Sequence, residues 1–257
     1  LAEAIDEADT PLQRIALVPV IIDVADAVAY AHSQRVLHRD LKPANVMLGA
    51  FGETLLLDWG LAKDLDRREE EQSRPPSDEQ PSPFETADGI VVGTPPYMPP
   101  EQAGALGIDE RADVYALGAM LYHVLAGSRP YEEAPDAEVL EAVVTRPPRD
   151  LAALAPDMPE DLVAIANKAM SRLPELRYSS AQDMAQELRR FTTGQLVGAH
   201  NYSPFDILRR FARRHFATVV TAALAMFVLL CFAVWSFRSI TEERNEAQSK
   251  EPAALRN

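Results

Sequence analysis

The chain has 257 residues, 47% of them hydrophobic, which is enough for one substantial domain with appendages. A formal net charge of -14 excludes a nucleic-acid binder working through a basic surface, because neutralising phosphates needs clustered Lys and Arg. One cysteine, Cys231, excludes an intramolecular disulfide, and the five histidines show no zinc-ligand spacing.

In chain order, apolar residues recur at helical spacing from Arg14 to about His32 (Ile15, Val18, Ile22, Ala25, Val28, Ala29). Pro11 stands near the start, where a missing amide costs least, and Pro19 interrupts the first turn. Val46-Met47-Leu48 and Thr54 to Leu57 are short apolar runs around a turn at Gly49 to Gly52, which predicts a small hairpin. The polar stretch from Asp64 to Asp88, with its acidic run Glu69-Glu70-Glu71, predicts a long flexible loop. Asp113 to Ala126 is apolar on nearly all sides, the mark of a helix buried in a core, and Gly127 stops it. Further helical patterns run from about Glu160 to Arg172 and from Ser180 to Phe191, so the soluble part is expected to be mostly α-helical.

Phe216 to Phe237 contains no charged residue and would extend about 33 Å as a helix, enough to cross a hydrocarbon core. It is expected to be the only membrane span. Arg209, Arg210, Arg213 and Arg214 precede it, which by the positive-inside rule puts the N-terminal domain in the cytoplasm. Phe205, Leu208, Phe211 and Ala212 share one face of a short helix capped by Ser203 and Pro204, with the arginines mainly on its other sides. That helix is expected along the inner leaflet, with a solvated basic linker as the plainer alternative.

Two motifs flank the hairpin: His38-Arg39-Asp40-Leu41-Lys42-Pro43-Ala44-Asn45 and Asp58-Trp59-Gly60. Asp40 is placed to accept or orient a hydroxyl, Asn45 and Asp58 offer oxygen ligands to a hard cation, and Lys42 brings a positive point charge. Singly each has an ordinary explanation as a turn residue or a surface charge. Together, in this order and spacing, they resemble the catalytic loop and metal-binding turn of the eukaryotic-type protein kinases, in the form found in bacterial serine/threonine kinases. The resemblance covers about residues 12 to 192 and continues through Gly93-Thr94-Pro95-Pro96-Tyr97-Met98 and Pro99-Pro100-Glu101.

The resemblance implies a mainly α kinase C-lobe with a small β-hairpin at the catalytic cleft, followed by a transmembrane helix. The expected organisation is a lobe over 1–195 with an activation segment at 58–101, a basic juxtamembrane segment at 196–215, a span at 216–237 and an extracytoplasmic start at 238–257. Asp40 and Lys42 are the catalytic residues it implies, Asn45 and Asp58 the metal ligands, and Met47 the residue beneath the adenine ring, where core packing is the equal alternative. Thr94 would act with Lys42 around Asp40, which implies serine and threonine as acceptors. Glu101 would pair with Arg177, and Asp113 would hold the catalytic loop's backbone. Arg39 implies control by phosphorylation of the activation segment, with Thr86 the preferred site and Ser73, Ser77 and Ser82 behind it. The cofactors are ATP with Mg2+ or Mn2+; the partners are protein substrates, the membrane and, as a further candidate, a second copy of the chain.

The metal-binding turn departs from the usual Asp-Phe-Gly by carrying Trp59. The chain starts at Leu1 and contains neither a glycine-rich loop nor a V-A-I-K-like strand lysine, so an N-lobe is expected upstream. The competing expectation is a membrane-tethered pseudokinase or scaffold that docks partners without catalysis.

Overall fold

Thr10 opens the helical run with a capping box: its hydroxyl accepts from the Gln13 amide while the Gln13 side chain accepts from the Thr10 amide. In the computed structural model, which describes residues 1–64, 93–104, 106–200, 202, 216, 220, 221, 224–235, 238 and 241, this run is not one helix. A short α1 (Ala2–Asp6) precedes α2 (Pro11–Ile15), and after a two-residue break comes α3 (Val18–Ser33). Pro19 explains the break, because it falls in the first turn of α3, where no amide is needed. Val18, Val24, Ala25 and Val28 of α3 are fully buried.

Val36–Leu37 (β1) leads into the His38 motif and pairs antiparallel with Lys63–Asp64 (β4). Between them lies the predicted hairpin: β2 (Val46–Leu48) pairs antiparallel with β3 (Thr54–Leu56) in the register Val46↔Leu56, Met47↔Leu55, Leu48↔Thr54. After a short α4 (Pro100–Ala103), α5 (Arg111–Ala126) runs through the centre, buried from Ala112 to Tyr122 and capped by Gly127 in the left-handed conformation at φ 69°. Gly118 lets a neighbour come close. A Cβ there would lie 2.6 Å from the Ala169 Cβ, so α8 (Glu160–Ala169) packs on α5 with backbone-level contact.

Two short helices, α6 (Val139–Thr145) and α7 (Leu151–Leu154), have no counterpart in the predicted pattern. Val139, Ala142 and Val143 of α6 form a side core with Met98, Ala103, Tyr131 and Ala134. The helix α9 (Ala181–Thr192), capped by Ser180 to the Asp183 amide at 3.1 Å, lays its apolar face on α3, and Arg189 pairs with Asp26 across that contact.

The chain divides into two units, Leu1–His200 and Asn201–Asn257. In the second, Leu224–Trp235 forms α10, with Leu224, Phe227, Leu230 and Trp235 exposed. Among the described residues Pro11–Ser33 is the helical stretch long and apolar enough to span a membrane, and the expected span at 216–237 is described only in part. Ile21, Val24, Ala25 and Val28 within Pro11–Ser33 are buried in the core, where α3 packs against α5 and α9. The arginines at 209–214, the Ser203 to Ala212 segment and Thr86, Ser73, Ser77 and Ser82 lie outside the described residues.

Candidate active site

The catalytic-loop motif is held from below by Asp113 in the first turn of α5. Its Oδ1 accepts the Arg39 amide at 2.9 Å, and its Oδ2 accepts the His38 amide at 2.9 Å and faces His32 Nε2 at 2.7 Å. Asp113 and His38 are 1% and 0% exposed, so these bonds form where water does not compete. They hold Arg39 at φ 70°, a left-handed conformation that a non-glycine residue keeps only when its surroundings impose it. Gln102 of α4 adds a bond from Nε2 to the Arg39 carbonyl at 2.9 Å.

This turn sets Asp40 against three side chains. Lys42 Nζ donates to its Oδ2 at 2.6 Å, Thr94 Oγ1 donates to its Oδ1 at 2.8 Å, and Lys42 also donates to Thr94 Oγ1 at 2.9 Å. A carboxylate has about four lone-pair sites; Oδ2 also accepts from Asn45 Nδ2 at 3.4 Å, so Oδ1 is the oxygen with a site left for an incoming hydroxyl. Asn45 Nδ2 donates to the Asp40 carbonyl at 2.9 Å, which fixes the amide and leaves its oxygen as the group available for ligation.

The hairpin carries the second half of the site. Its register continues through a bond from the Leu57 amide to the Asn45 carbonyl at 2.8 Å, which puts Asn45 beside the residue preceding Asp58. Asp58 is exposed, sits at φ 59° and accepts the Gly60 amide on Oδ1 at 3.3 Å. Trp59 donates its indole N–H to the Leu56 carbonyl at 3.3 Å and packs its ring 4.7 Å from that of His38. Met47 and its cross-strand partner Leu55 are about half exposed, giving the hairpin an apolar outer face.

The donor set fits Mg2+ or Mn2+ better than a preformed metal cage. No group of three His, Cys, Asp or Glu among the described residues could hold a metal alone. Asn45 and Asp58 offer an amide oxygen and a carboxylate, the hard-oxygen set of a cation that keeps waters and takes its remaining ligands from substrate phosphates.

From Gly93 the chain brings Thr94 to the site, then turns at Pro95–Tyr97 into α4. Glu101 of α4 receives Arg177 Nη1 and Nη2 at 2.6 and 2.7 Å, a bidentate pair whose arginine also donates to the Ser171, Arg111 and Arg172 carbonyls. The Arg177 guanidinium lies 5.0 Å from the centre of the Tyr115 ring.

The structure thus brings Arg39, Asp40, Lys42, Asn45, Thr94 and Asp113 into one hydrogen-bonded group and sets Glu101 with Arg177 behind it. Three contributors carry no motif signal. His32 belongs to a scatter of histidines, Gln102 to a short helix, and His123 to a core helix, yet His123 Nδ1 faces the Tyr97 hydroxyl at 2.7 Å.

A buried helix-start aspartate holding a D-x-K-x-x-N loop beside a hairpin and a D-W-G turn defines the catalytic half of a protein kinase. The chain belongs to the protein kinase domain family, whose profile matches residues 1–188. It is similar to the serine/threonine-protein kinase PknD of Chlamydia trachomatis serovar D, 36% identical over 183 residues that make up 68% of this chain and 20% of the relative. It is also similar to the PknD of Protochlamydia amoebophila, 37% identical over 70% of this chain and 19% of the relative. A third relative is the tyrosine-protein kinase MasK of Myxococcus xanthus, 37% identical over 70% of this chain and 27% of that protein. The matched stretch therefore spans about a fifth to a quarter of the length of these curated relatives.

Proposed function

We propose that this chain is the catalytic lobe of a membrane-anchored serine/threonine protein kinase that transfers the γ-phosphate of ATP to protein hydroxyls, its own among them. The observation that carries the reading is the Asp40, Lys42 and Thr94 triangle, in which every side is a hydrogen bond of 2.9 Å or less.

In this reading Asp40 accepts the acceptor hydroxyl's hydrogen bond and orients its oxygen, since phosphoryl transfer rests on alignment and charge compensation more than on covalent chemistry. Lys42 holds Asp40 Oδ2 through its ammonium and places its charge beside the transferred group. Asn45 and Asp58 hold the divalent cation, which supplies charge compensation to the phosphates when bound. Met47 and Leu55 offer an apolar surface to the adenine. Arg39 and a phosphorylated Thr86 make up the control device.

Serine and threonine are the favoured acceptors because Lys42 and Thr94 meet around Asp40 as the resemblance to serine/threonine kinases implies. PknD is named for the same class. MasK, named a tyrosine kinase at similar identity, makes acceptor chemistry the point to test. Full-length protein given γ-labelled ATP and Mg2+ is expected to label itself and a generic protein substrate on serine and threonine, read by phosphoamino-acid analysis. Label confined to tyrosine would overturn the acceptor class, and no label would favour a scaffold.

Anchoring rests on the uncharged stretch 216–237, on α10 within it with exposed apolar side chains, and on the four arginines ahead of it. A topology reporter fused after Asn257 is expected outside the cytoplasm; a cytoplasmic signal would sink the single-span reading.

A further inference from the structure

We propose that His123 is a positioning residue for phosphoryl transfer, acting through Tyr97 on the Thr94 segment; this deepens the kinase reading above and rests on it. The two side chains meet at 2.7 Å, Tyr97 Oη to His123 Nδ1, with ring centres 6.0 Å apart. Tyr97 is 8% exposed, and burial pushes its phenol well above the ordinary value, so it keeps its proton. Burial also holds the His123 imidazole below its ordinary value, with Arg129 acting in the same sense and Asp6 and Glu132 against it. A protonated phenol and a neutral imidazole bond in either tautomer; with the ring proton on Nε2, Tyr97 donates and Nδ1 accepts.

The bond reaches the site through three residues of chain. Tyr97 closes the Pro95–Tyr97 turn by donating its amide to the Thr94 carbonyl at 3.0 Å, and the Thr94 hydroxyl is the group that holds both Asp40 Oδ1 and Lys42 Nζ. Helix α5 therefore grips the catalytic group twice. Asp113, in its first turn, holds the loop that carries Asp40, and His123, about 15 Å further along the helix, holds the segment that carries Thr94. One rigid element sets both sides of the triangle, so losing the second grip lets Thr94 drift relative to Asp40, and small misplacements of this kind cost rate.

The test uses full-length protein as wild type, Tyr97→Phe, His123→Leu, the double variant and His123→Asn. The asparagine Oδ1 lies the same number of bonds from the main chain as the imidazole Nδ1 and can accept in its place. Tyr97→Phe and His123→Leu are each expected to lower kcat by about tenfold with KM for ATP unchanged. The double variant is expected to lose no more than either single one, and His123→Asn to return to within about twofold of wild type. Amide hydrogen exchange of Gly93, Thr94, Tyr97 and Met98 is expected to quicken in the same order, a readout that needs no activity. Losses that add in the double variant, or wild-type kcat and exchange in both single variants, would overturn the proposal. Tyr97→Phe removes one oxygen and keeps the test decisive should His123→Leu fail to fold. An inactive wild type would overturn the kinase reading, and the exchange order alone would then decide this one.

Discussion

Asp40→Asn in the full-length protein is expected to lower kcat by about 10² to 10⁴-fold, the usual worth of a positioned acid-base group, and to leave KM for ATP nearly unchanged. The substitution keeps the shape and removes the charge. An asparagine there has one acceptor oxygen; with it on Lys42 Nζ, its amide nitrogen faces Thr94 Oγ1, whose hydroxyl must stop donating and accept instead. The loop itself survives, because Asn45 bonds to the main-chain carbonyl of residue 40 and Asp113 bonds to the amides of His38 and Arg39. Steady-state kinetics on a peptide substrate separate the two parameters. A loss of less than about threefold would remove Asp40 from the catalytic role assigned to it.

Arg177→Ala is expected to destabilise the domain by about 3–5 kcal/mol, because it breaks a buried ion pair and strands one partner. The Arg177 side chain is fully enclosed and Glu101 is 11% exposed, so the abandoned carboxylate cannot recover its hydration. Three main-chain carbonyls, those of Ser171, Arg111 and Arg172, lose their donor in the same step. Glu101→Gln should cost less, since Arg177 would keep those carbonyls and its place over the Tyr115 ring. Urea unfolding followed by circular dichroism is expected to rank wild type above Glu101→Gln and Glu101→Gln above Arg177→Ala. Equal midpoints for wild type and Arg177→Ala would contradict a structural role for the pair.

What the sequence revealed, and what it hid, divides along the range of the interactions. Local patterns were legible: the alternating hairpin around Gly49 to Gly52, the apolar run that became α5, and its Gly127 cap all follow from neighbours in the chain. Asp40, Lys42, Asn45 and Asp58 were legible because their spacing is itself the motif, and Thr94, Glu101, Asp113 and Arg177 through the family resemblance. Pro19 was seen as an interruption, but whether it kinks a helix or begins a new one depends on how Leu17 and Val18 pack. His32, Gln102 and the Tyr97 to His123 bond could not be read, because each joins residues from different elements without a local signature. The side core around α6 was hidden for a related reason: a helix this short has too few turns to show a period.

The membrane question shows the same division from the other side. Pro11–Ser33 and 216–237 both carry long apolar runs, and composition alone does not rank them. The first supplies the fully buried Val18, Val24 and Val28 to the core, whereas the described apolar side chains of α10 are exposed, which supports the anchoring proposed above.

The central claim is that the loop and the turn on either side of the hairpin perform phosphoryl transfer together. Its most direct test is transfer of label from γ-labelled ATP by full-length wild type, Asp40→Asn and Asp58→Ala side by side in Mg2+. The account predicts label with wild type and near-background signal with both variants. Wild-type transfer by either variant would contradict it.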